Sequence, residues 1–327
     1  MPEGIPLLEE IGTVPSEKYA EGQEIFAHCQ AIGHKFGLYD RALFQTVVKR
    51  IQWDEASARW DIHTNRGDHI RTRHLIVSSG PLNKPKLPSI PGLTSFKRVS
   101  FHTSRWNYDY TGGDSSGGLT KLADQRIALI GTGATGIQIL PHLAAAARHV
   151  YVVQRTPSAI DRRNNRPTDV EWFKSQPAGW QQKRIDNFCL TIMGVPQEEN
   201  LVDDCWTDVA TLLVGFNNSA DEALKNASAE ERQQLADYMK MEEVRAQIAK
   251  AIDDPATAEA LKPWYNLFCK RPLFSDDYFP CFNRSNVSLV DTHGTGVDRI
   301  TENAIVVGGE AYEVDCIIYA TGFHAGA

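Results

Sequence analysis

Short apolar runs mark the central and C-terminal parts of the chain. Ile127–Ile130 is a run of the buried-strand type, and His149–Val153 has the pattern of a second strand. Between them lie a glycine turn, Gly131–Gly136, and a segment of helix-forming composition, Ile137–Ala147. Three later segments also have strand character: Val287–Val290, Ala304–Val307 and Cys316–Tyr319. These patterns predict a β-α-β unit followed by further strands.

The N-terminal third of the chain has a different pattern. Glu24–Phe36 carries apolar residues at helical spacing, and Ser16 offers an N-cap signal before it. Three strands are predicted to follow: Leu43–Trp53, Arg59–Thr64 and His69–Ser78. A glycine turn at Ser78–Gly80 and several prolines after it end this lobe. The sequence thus predicts a helix followed by a β-meander, with a domain boundary near residues 80–110.

The central glycine turn has the G-x-G-x-x-G spacing of a dinucleotide site. Gly131 allows a tight strand-to-helix turn, Gly133 lets the backbone approach a pyrophosphate, and Gly136 lets the helix pack closely on the strand. The free N–H groups of the helix N-terminus favour phosphate. An ordinary strand-to-helix turn is the alternative. The predicted cofactor contacts in this segment are Gly131, Thr132, Gly133, Ala134, Thr135, Gly136 and Gln138.

The residues after the second strand of this unit select the cofactor. NAD sites usually place Asp or Glu here, but this chain has Gln154, Arg155 and Thr156. No carboxylate occurs before Asp161. The guanidinium of Arg155 can bind a 2′-phosphate through two donors at once, and the hydroxyl of Thr156 can add a third. These residues predict NADP(H) rather than NAD(H), with a solvated surface arginine as the alternative.

Composition excludes several kinds of partner. The chain has 327 residues, of which 42% are hydrophobic and 23% charged, and its net charge is −7. That length allows two domains, and that charge offers no basic surface for nucleic acid. We expect neither a membrane partner nor a signal peptide, and therefore a cytoplasmic protein. The six scattered cysteines lack C-x-x-C spacing, so no metal site is predicted.

A long segment after the β-α-β unit is predicted to be helical. It follows the basic, proline-marked stretch Arg162–Pro167 and extends to about Trp264, with a capping box at Ser228–Glu231. We interpret it as an insertion into the nucleotide domain, and such insertions commonly cover a substrate site. Trp106–Thr120, before the unit, is glycine-rich and polar and is predicted to be a loop.

The residues between the N-terminal lobe and the β-α-β unit match a family fingerprint. Phe96, His102 and Trp106 have the spacing F-x-G-x-x-x-H-x-x-x-W, with Arg98 at the glycine position. Together with the glycine turn, Gln154–Thr156 and the Ala-Thr-Gly-Phe motif near the C-terminus, they make the chain resemble the Baeyer–Villiger monooxygenases along essentially its whole length. If the family glycine needs a positive φ or a close backbone approach, Arg98 predicts backbone strain. The resemblance also implies that His102 and Trp106 belong to the catalytic apparatus.

The resemblance implies an α/β flavoprotein with two dinucleotide-binding domains, of which this chain contains only part of the FAD domain. The implied regions are a partial FAD-domain lobe (1–95), a fingerprint linker (96–120), a Rossmann-like NADP domain (121–164 and 268–319), a helical insertion (165–267) and the start of a return to the FAD domain (320–327). The family's first glycine motif, which binds FAD, does not occur upstream of residue 80. We therefore expect a chain truncated at both ends relative to the family.

The resemblance also implies roles for charged residues. Arg155 and Thr156 would hold the 2′-phosphate of NADP together with Lys270, and Arg271 would stabilise a negatively charged flavin peroxide. In this family NADPH reduces FAD, and the reduced flavin and O2 form the peroxide that attacks a ketone, giving an ester or lactone. Without the resemblance, Lys270 and Arg271 could equally be a basic helix C-terminus that complements the helix dipole.

Two alternatives to a ketone-oxidising enzyme stay open. A chain without the first glycine motif could be an NADP-binding module that carries out no oxygenation. Related flavin monooxygenases oxidise sulfides or amines, although the fingerprint favours ketones. The predicted cofactors are FAD and NADP, and the predicted partners are a ketone substrate and O2.

Overall fold

The computed structural model describes residues 5–217 and 226–324. The strands, in chain order, are β1 (Val48–Asp54), β2 (Arg59–Thr64), β3 (His69–Thr72), β4 (Val99–His102), β5 (Arg126–Ile130), β6 (His149–Gln154), β7 (Ile160–Asp161), β8 (Leu273–Phe274), β9 (Val287–Asp291), β10 (Arg299–Ile300), β11 (Ala304–Val307), β12 (Glu310–Glu313) and β13 (Cys316–Tyr319). The α-helices are α1 (Leu8–Ile11), α2 (Gly22–Lys35), α3 (Tyr108–Thr111), α4 (Ala134–Ala146), α5 (Val170–Ser175), α6 (Trp180–Ile192), α7 (Cys205–Asn217), α8 (Ala229–Ala251) and α9 (Pro255–Ala260). Residues 1–4, 218–225 and 325–327, which the predicted regions include, lie outside the described residues.

A five-stranded parallel sheet forms the centre of the fold. Its strand order is β4-β13-β5-β6-β9, and every neighbouring pair is parallel. β5, α4 and β6 follow one another as the predicted β-α-β unit. Because parallel neighbours need crossover connections, other elements cover both faces of such a sheet. The α/β fold class is confirmed.

The two faces of this sheet are covered by different elements. Successive residues of a strand point to opposite faces. Ile127 and Leu129 of β5 belong to one buried cluster with Leu140 of α4. Ala128 belongs to the cluster on the other face, which includes Ile305 of the antiparallel sheet β10-β11-β12. The apolar run of β5 is therefore continuous because its side chains are buried on both faces of the sheet.

The fingerprint segment contributes the edge strand of the parallel sheet. β4 pairs with β13, so that His102 lies opposite Tyr319. Arg98, just before β4, is not among the described residues with a positive φ. Its guanidinium contacts the carboxylate of Asp315. The expectation of strain from a positive φ at Arg98 is wrong, because an L-residue adopts a negative φ without strain.

The N-terminal lobe consists of α2 and an antiparallel sheet in the order β1-β2-β3. β1 begins at Val48 because its partner there, Thr64, is the last residue of β2. β3 ends at Thr72, whose partner adjoins the first residue of β2. The predicted strands Leu43–Trp53 and His69–Ser78 are therefore too long, since their outer residues have no partner strand.

The N-cap prediction at Ser16 is also wrong. α2 begins at Gly22 after Glu21, which makes no side-chain cap hydrogen bond. Ser16 donates from its backbone N–H and its hydroxyl to the carboxylate of Glu24, at 2.7 and 2.8 Å. An N-cap side chain accepts from the first turn of its helix, whereas Ser16 donates to a side chain of α2.

Helices α5 to α9 make up most of the segment that was predicted to be helical. At the start of α8, Ser228 accepts from the N–H of Glu231 at 3.1 Å, and the Glu231 carboxylate accepts from the N–H of Ser228 at 2.6 Å. These two bonds confirm the capping box. Val244 and Ile248 of α8 join the buried cluster on the α4 face of the parallel sheet. The loop predicted at Trp106–Thr120 contains the short helix α3.

Candidate functional site

A cavity of about 530 Å³ opens where the parallel strands end. It is lined by the glycine turn, by residues that follow β6, β9 and β13, and by Lys86–Ile90, which we call the strap. Among its lining residues, all in the described part of the chain, Lys86, Arg155 and Lys270 are cations and none is Asp or Glu. Because positive charges without carboxylates beside them attract anions, this cavity favours an anionic ligand.

The glycine turn has the geometry that close packing requires. Gly131 has a φ of +111°, and a Cβ there would lie 2.5 Å from the carbonyl oxygen of Ala320. A Cβ at Gly136 would clash with the carbonyl oxygen of Gly131. A Cβ at Gly133 would meet no atom within 4 Å, and Gly133 lines the cavity. The first and third glycines therefore allow the turn to form, and the second keeps the space beside it clear.

The N-terminus of α4 faces this turn without a side-chain cap. Its N-cap is Gly133, and its first turn contains no acidic residue. Thr132 is buried, and its hydroxyl donates to the carbonyl oxygen of Thr156 at 3.4 Å. Its own carbonyl oxygen accepts from the Ser158 hydroxyl at 2.6 Å. These bonds fix the turn to the residues after β6, while the first N–H groups of α4 stay available to an anion.

The cavity brings together part of the predicted cofactor site. Its lining includes Gly131, Thr132, Gly133, Arg155, Thr156 and Lys270. Ala134, Thr135, Gly136 and Gln138 belong to α4 and do not line it. The Gln138 side chain donates to the carbonyl oxygen of Ala134 at 2.7 Å, within its own helix. Direct cofactor contacts from these four residues stay a prediction.

Lys270 and Arg155 form a basic cluster at the β6 end of the cavity. The Lys270 ammonium donates to the Thr156 hydroxyl and, at 3.5 Å, to the carbonyl oxygen of Pro157. It also lies 4.6 Å from the ring centroid of Tyr265. Burial, and then the charge of Arg155, lowers the pKa of Lys270 from its ordinary value. Within the described residues Arg155 has no ion-pair or hydrogen-bond partner, so its guanidinium can bind an anion.

The fingerprint histidine does not line this cavity. His102 is buried, and its Nδ1 accepts from the N–H of Ser104 at 3.2 Å. Its Nε2 therefore carries the proton and donates to the carbonyl oxygen of Gly322 at 2.9 Å. These bonds connect the end of β4 to the turn after β13. A catalytic role for His102 stays a prediction.

Trp106 and Arg271 do not line the cavity either. Trp106 donates from Nε1 to the Thr111 hydroxyl at 3.0 Å and packs edge-on against Phe101, with ring centroids 5.2 Å apart. Arg271 is exposed, and its guanidinium lies 5.7 Å from the ring centroid of Trp206. None of the three candidate catalytic residues lines the cavity, although Arg271 directly follows Lys270 of the basic cluster, and their catalytic roles stay predictions.

Two groups of lining residues are not predicted from the sequence. Thr292, Thr295 and Gly296 follow β9, and the strap lines another wall. The first group has a usable signal, because ligands bind beyond the carboxyl ends of parallel strands and Thr292 directly follows β9. The strap has no such signal, since its prolines indicate a domain boundary rather than a binding segment.

The described part of the chain offers neither a metal cluster nor a membrane-spanning helix. In residues 5–217 and 226–324, no group of three or more His, Cys, Asp or Glu side chains could hold a metal ion. No helix in the same ranges is long and apolar enough to cross a bilayer.

A glycine turn, an uncapped helix N-terminus and a basic cavity without carboxylates meet at one edge of a parallel sheet. This combination is typical of dinucleotide-binding α/β proteins. The model of the flavin-binding monooxygenase-like family matches residues 15–172. The chain is also 52% identical over 320 residues to Baeyer-Villiger monooxygenase ATR8 of Stachybotrys chlorohalonatus. The aligned residues make up 98% of this chain and 51% of that protein. The chain is thus similar to flavin-binding monooxygenase-like proteins over residues 15–172 and to a Baeyer-Villiger monooxygenase over nearly its whole length.

Solved structures of related enzymes have the same fold. The polycyclic ketone monooxygenase from Thermothelomyces thermophila superposes with a TM-score of 0.89 at 38% identity, over 99% of this chain and 54% of that one. The crystal structure of OTEMO in complex with FAD and NADP gives a TM-score of 0.76 at 26% identity. The superposition covers 99% of this chain and 61% of that one. The resemblance to Baeyer–Villiger monooxygenases is confirmed, and the chain spans about half the length of the curated relative it matches.

Proposed function

We propose that this chain supplies the NADPH-binding part of an NADPH- and FAD-dependent monooxygenase that inserts one oxygen atom of O2 beside a ketone carbonyl. The product would be an ester or lactone. The observation that carries the nucleotide assignment is the basic, carboxylate-free cavity at the glycine turn. The names of two similar proteins, a Baeyer-Villiger monooxygenase and a polycyclic ketone monooxygenase, support a ketone rather than a sulfide or amine as substrate.

The lining residues of the cavity fit NADP(H). The clear space at Gly133 would let a pyrophosphate approach the free N–H groups of α4. Arg155, Thr156 and Lys270 would bind the 2′-phosphate through a guanidinium fork, a hydroxyl and an ammonium. A dianion between Arg155 and Lys270 would also relieve the repulsion of two neighbouring cations. When bound, the nicotinamide supplies a hydride.

The described residues do not fit FAD in the same way. Among them, Gly131–Gly136 is the one turn that joins a parallel strand to a helix with G-x-G-x-x-G spacing, and it lines the cavity assigned to NADP(H). A second dinucleotide needs a second set of free N–H groups for its pyrophosphate. Oxygenation is therefore assigned to the complete enzyme and not to the described residues alone.

Replacing Arg155 with Ala tests the choice of nucleotide. The variant loses a charge-assisted, two-donor contact with the 2′-phosphate, so we expect its dissociation constant for NADPH to rise about 10- to 100-fold. The constant for NADH should change by less than about twofold, because NADH lacks this phosphate. Isothermal titration with both nucleotides measures the two constants.

Arg148→Ala is the matched control for this experiment, because Arg148 is exposed and does not line the cavity. It should leave both constants unchanged. Equal losses of NADPH and NADH affinity in Arg155→Ala would overturn the 2′-phosphate assignment.

Whether the purified chain retains FAD distinguishes a chain that can oxygenate a substrate from a module that only binds NADPH. We expect the purified chain, mixed with excess FAD and then desalted, to show no flavin absorbance while it still binds NADPH. The reason is that the described residues provide one dinucleotide turn, which NADP(H) occupies. Flavin that stays bound would contradict this expectation and would justify assaying ketone oxidation with NADPH. A chain that binds neither nucleotide would overturn the proposed function.

A further inference from the structure

Lys86 lies on the strap at a point that is fixed to the turn after β13. Its backbone N–H donates to the carbonyl oxygen of Gly322 at 2.9 Å, and its own carbonyl oxygen accepts from the Thr321 hydroxyl at 2.5 Å. Nearby, the carbonyl oxygen of Lys84 accepts from the N–H of His324 at 2.9 Å. Both backbone polar groups of Lys86 are therefore bonded, which holds its Cα in place where Lys86 lines the cavity.

This fixed point lies at the glycine-turn end of the cavity. Ala320 precedes Thr321, and its carbonyl oxygen would lie only 2.5 Å from a Cβ on Gly131. Lys86 is bonded to Thr321, so its backbone is close to the residues that touch the glycine turn. A lysine side chain with four methylene groups can extend from there along the wall of the cavity.

The other two cations belong to the part of the cavity that follows β6. Arg155 directly follows β6, and Lys270 is bonded to the hydroxyl of Thr156. NADP(H) carries negative charge at two places, the 2′-phosphate and the pyrophosphate. The basic cluster suits the first, whereas the glycine turn offers the second only backbone N–H groups and a helix dipole.

On the basis of the NADPH site proposed above, we propose that Lys86 binds the pyrophosphate of the nucleotide. Its ammonium has no ion-pair or hydrogen-bond partner within residues 5–217 and 226–324, and no carboxylate lines the cavity with it. An ammonium is a compact charge suited to a phosphate without fixed geometry. Lys86 thus sets affinity for any adenine dinucleotide, while Arg155 distinguishes NADP(H) from NAD(H).

Two fragments of the nucleotide test this division. ADP-ribose contains the pyrophosphate without the 2′-phosphate, and adenosine 2′-monophosphate contains the 2′-phosphate without the pyrophosphate. For Lys86→Met in the full chain, we expect the dissociation constant of ADP-ribose to rise about tenfold and that of adenosine 2′-monophosphate to stay within about twofold. Arg155→Ala should show the reverse pattern. Isothermal titration measures all four constants.

Lys84→Met is the matched control, because Lys84 is a neighbouring lysine on the same segment that does not line the cavity. It should change neither constant. If Lys86→Met does not fold, as judged by circular dichroism, Lys86→Gln takes its place, and the salt dependence of ADP-ribose binding should weaken in the variant because one ion pair is gone.

Three results would overturn the assignment of Lys86. Unchanged ADP-ribose affinity in the variant would mean that its ammonium stays in solvent. A loss of affinity confined to adenosine 2′-monophosphate would mean that Lys86 contacts the 2′-phosphate and not the pyrophosphate. If the wild-type chain binds NADPH but shows no affinity for ADP-ribose, the assignment of a pyrophosphate site is wrong, whereas the proposed function still holds. Failure of the wild-type chain to bind NADPH would instead overturn the proposed function itself.

Discussion

The parallel sheet and the N-terminal sheet contain similar strand-forming residues but differ in burial. Every residue of β13 is buried, and in β5 all but the first are. In β1 all but the last residue are exposed, among them Val48, Ile51 and Trp53. Strand propensity reflects how a side chain fits a half-buried pleated surface, whereas burial depends on what packs on each face. The comparison shows that one kind of local pattern can serve a closed core and an open surface.

The N-terminal lobe leaves many large apolar side chains in contact with solvent. Those that are at least half exposed are Phe26, Phe36, Leu38, Leu43, Phe44, Val47, Val48, Ile76, Val77 and Leu82. Exposed apolar surface gains nothing from the hydrophobic effect. We therefore expect single side chains of this lobe to contribute less to the free energy of unfolding than those of the parallel sheet.

Replacing Leu129 with Ala is the strongest test of this difference. Leu129 of β5 is fully buried, so the substitution should lower the free energy of unfolding by about 2–5 kcal/mol through lost burial and the cavity left behind. Ile51→Ala in β1 is the matched control. Ile51 is 42% exposed, and we expect it to cost about 1 kcal/mol or less. Urea denaturation followed by circular dichroism measures both, and equal losses would break the comparison.

The sequence predicted the parallel sheet better than the N-terminal sheet for a physical reason. Ile127–Ile130 and Cys316–Tyr319 are continuous apolar runs because both of their faces are covered, and such runs are visible locally. The ends of β1 and β3 depend on the length of β2, which a local pattern does not contain. The strand predictions at Leu43 and Ser78 failed for that reason.

The candidate site divides in the same way. Gly131, Arg155 and Thr156 lie within one β-α-β unit, so their proximity follows from local structure. Lys86 reaches the same cavity only because the turn after β13 binds its backbone. Such a contact joins distant segments through backbone groups, which every residue possesses, and therefore leaves no mark on residue type. The contact of Arg271 with Trp206 could not be predicted either, because it joins two segments that are far apart in sequence.

The two regions also hold their carboxylates differently. Asp315, just before β13, has a side chain that is 15% exposed and accepts from the N–H of Arg126 at 2.8 Å and from its Nε at 3.3 Å, while Arg98 contacts the other oxygen. Asp61 of β2 contacts His69 and the guanidinium of Arg71, whose side chains are both about half exposed. A largely enclosed carboxylate bonded to a backbone N–H is costly to replace, whereas surface ion pairs are worth little.

Asp315→Asn should therefore lower the free energy of unfolding by about 1–2 kcal/mol at pH 7, and Asp61→Asn by about 0.5 kcal/mol or less. Burial alone would raise the pKa of Asp315, but the hydrogen bonds from Arg126 and the charges of Arg126 and Arg98 outweigh it, so that pKa lies below its ordinary value. A carboxylate with a lower pKa in the folded state stabilises fully above its unfolded pKa of about 3.9 and loses that contribution as the pH falls through the folded pKa.

Urea denaturation of the wild type and Asp315→Asn across pH 7 to 3 measures this effect. The difference in unfolding free energy should be constant down to about pH 5 and should shrink as the pH falls below the unfolded pKa of about 3.9, where the carboxylate of the unfolded chain takes up a proton first. It should vanish only below the lower pKa of the folded state, where Arg126 and Arg98 no longer face a charged carboxylate. A difference that keeps its pH 7 value at pH 3 would mean that Asp315 stabilises through shape and not charge. An equal loss in Asp61→Asn would mean that exposed cations bind a carboxylate as firmly as a backbone N–H at a sheet edge, and the distinction between the two regions would then rest on packing alone.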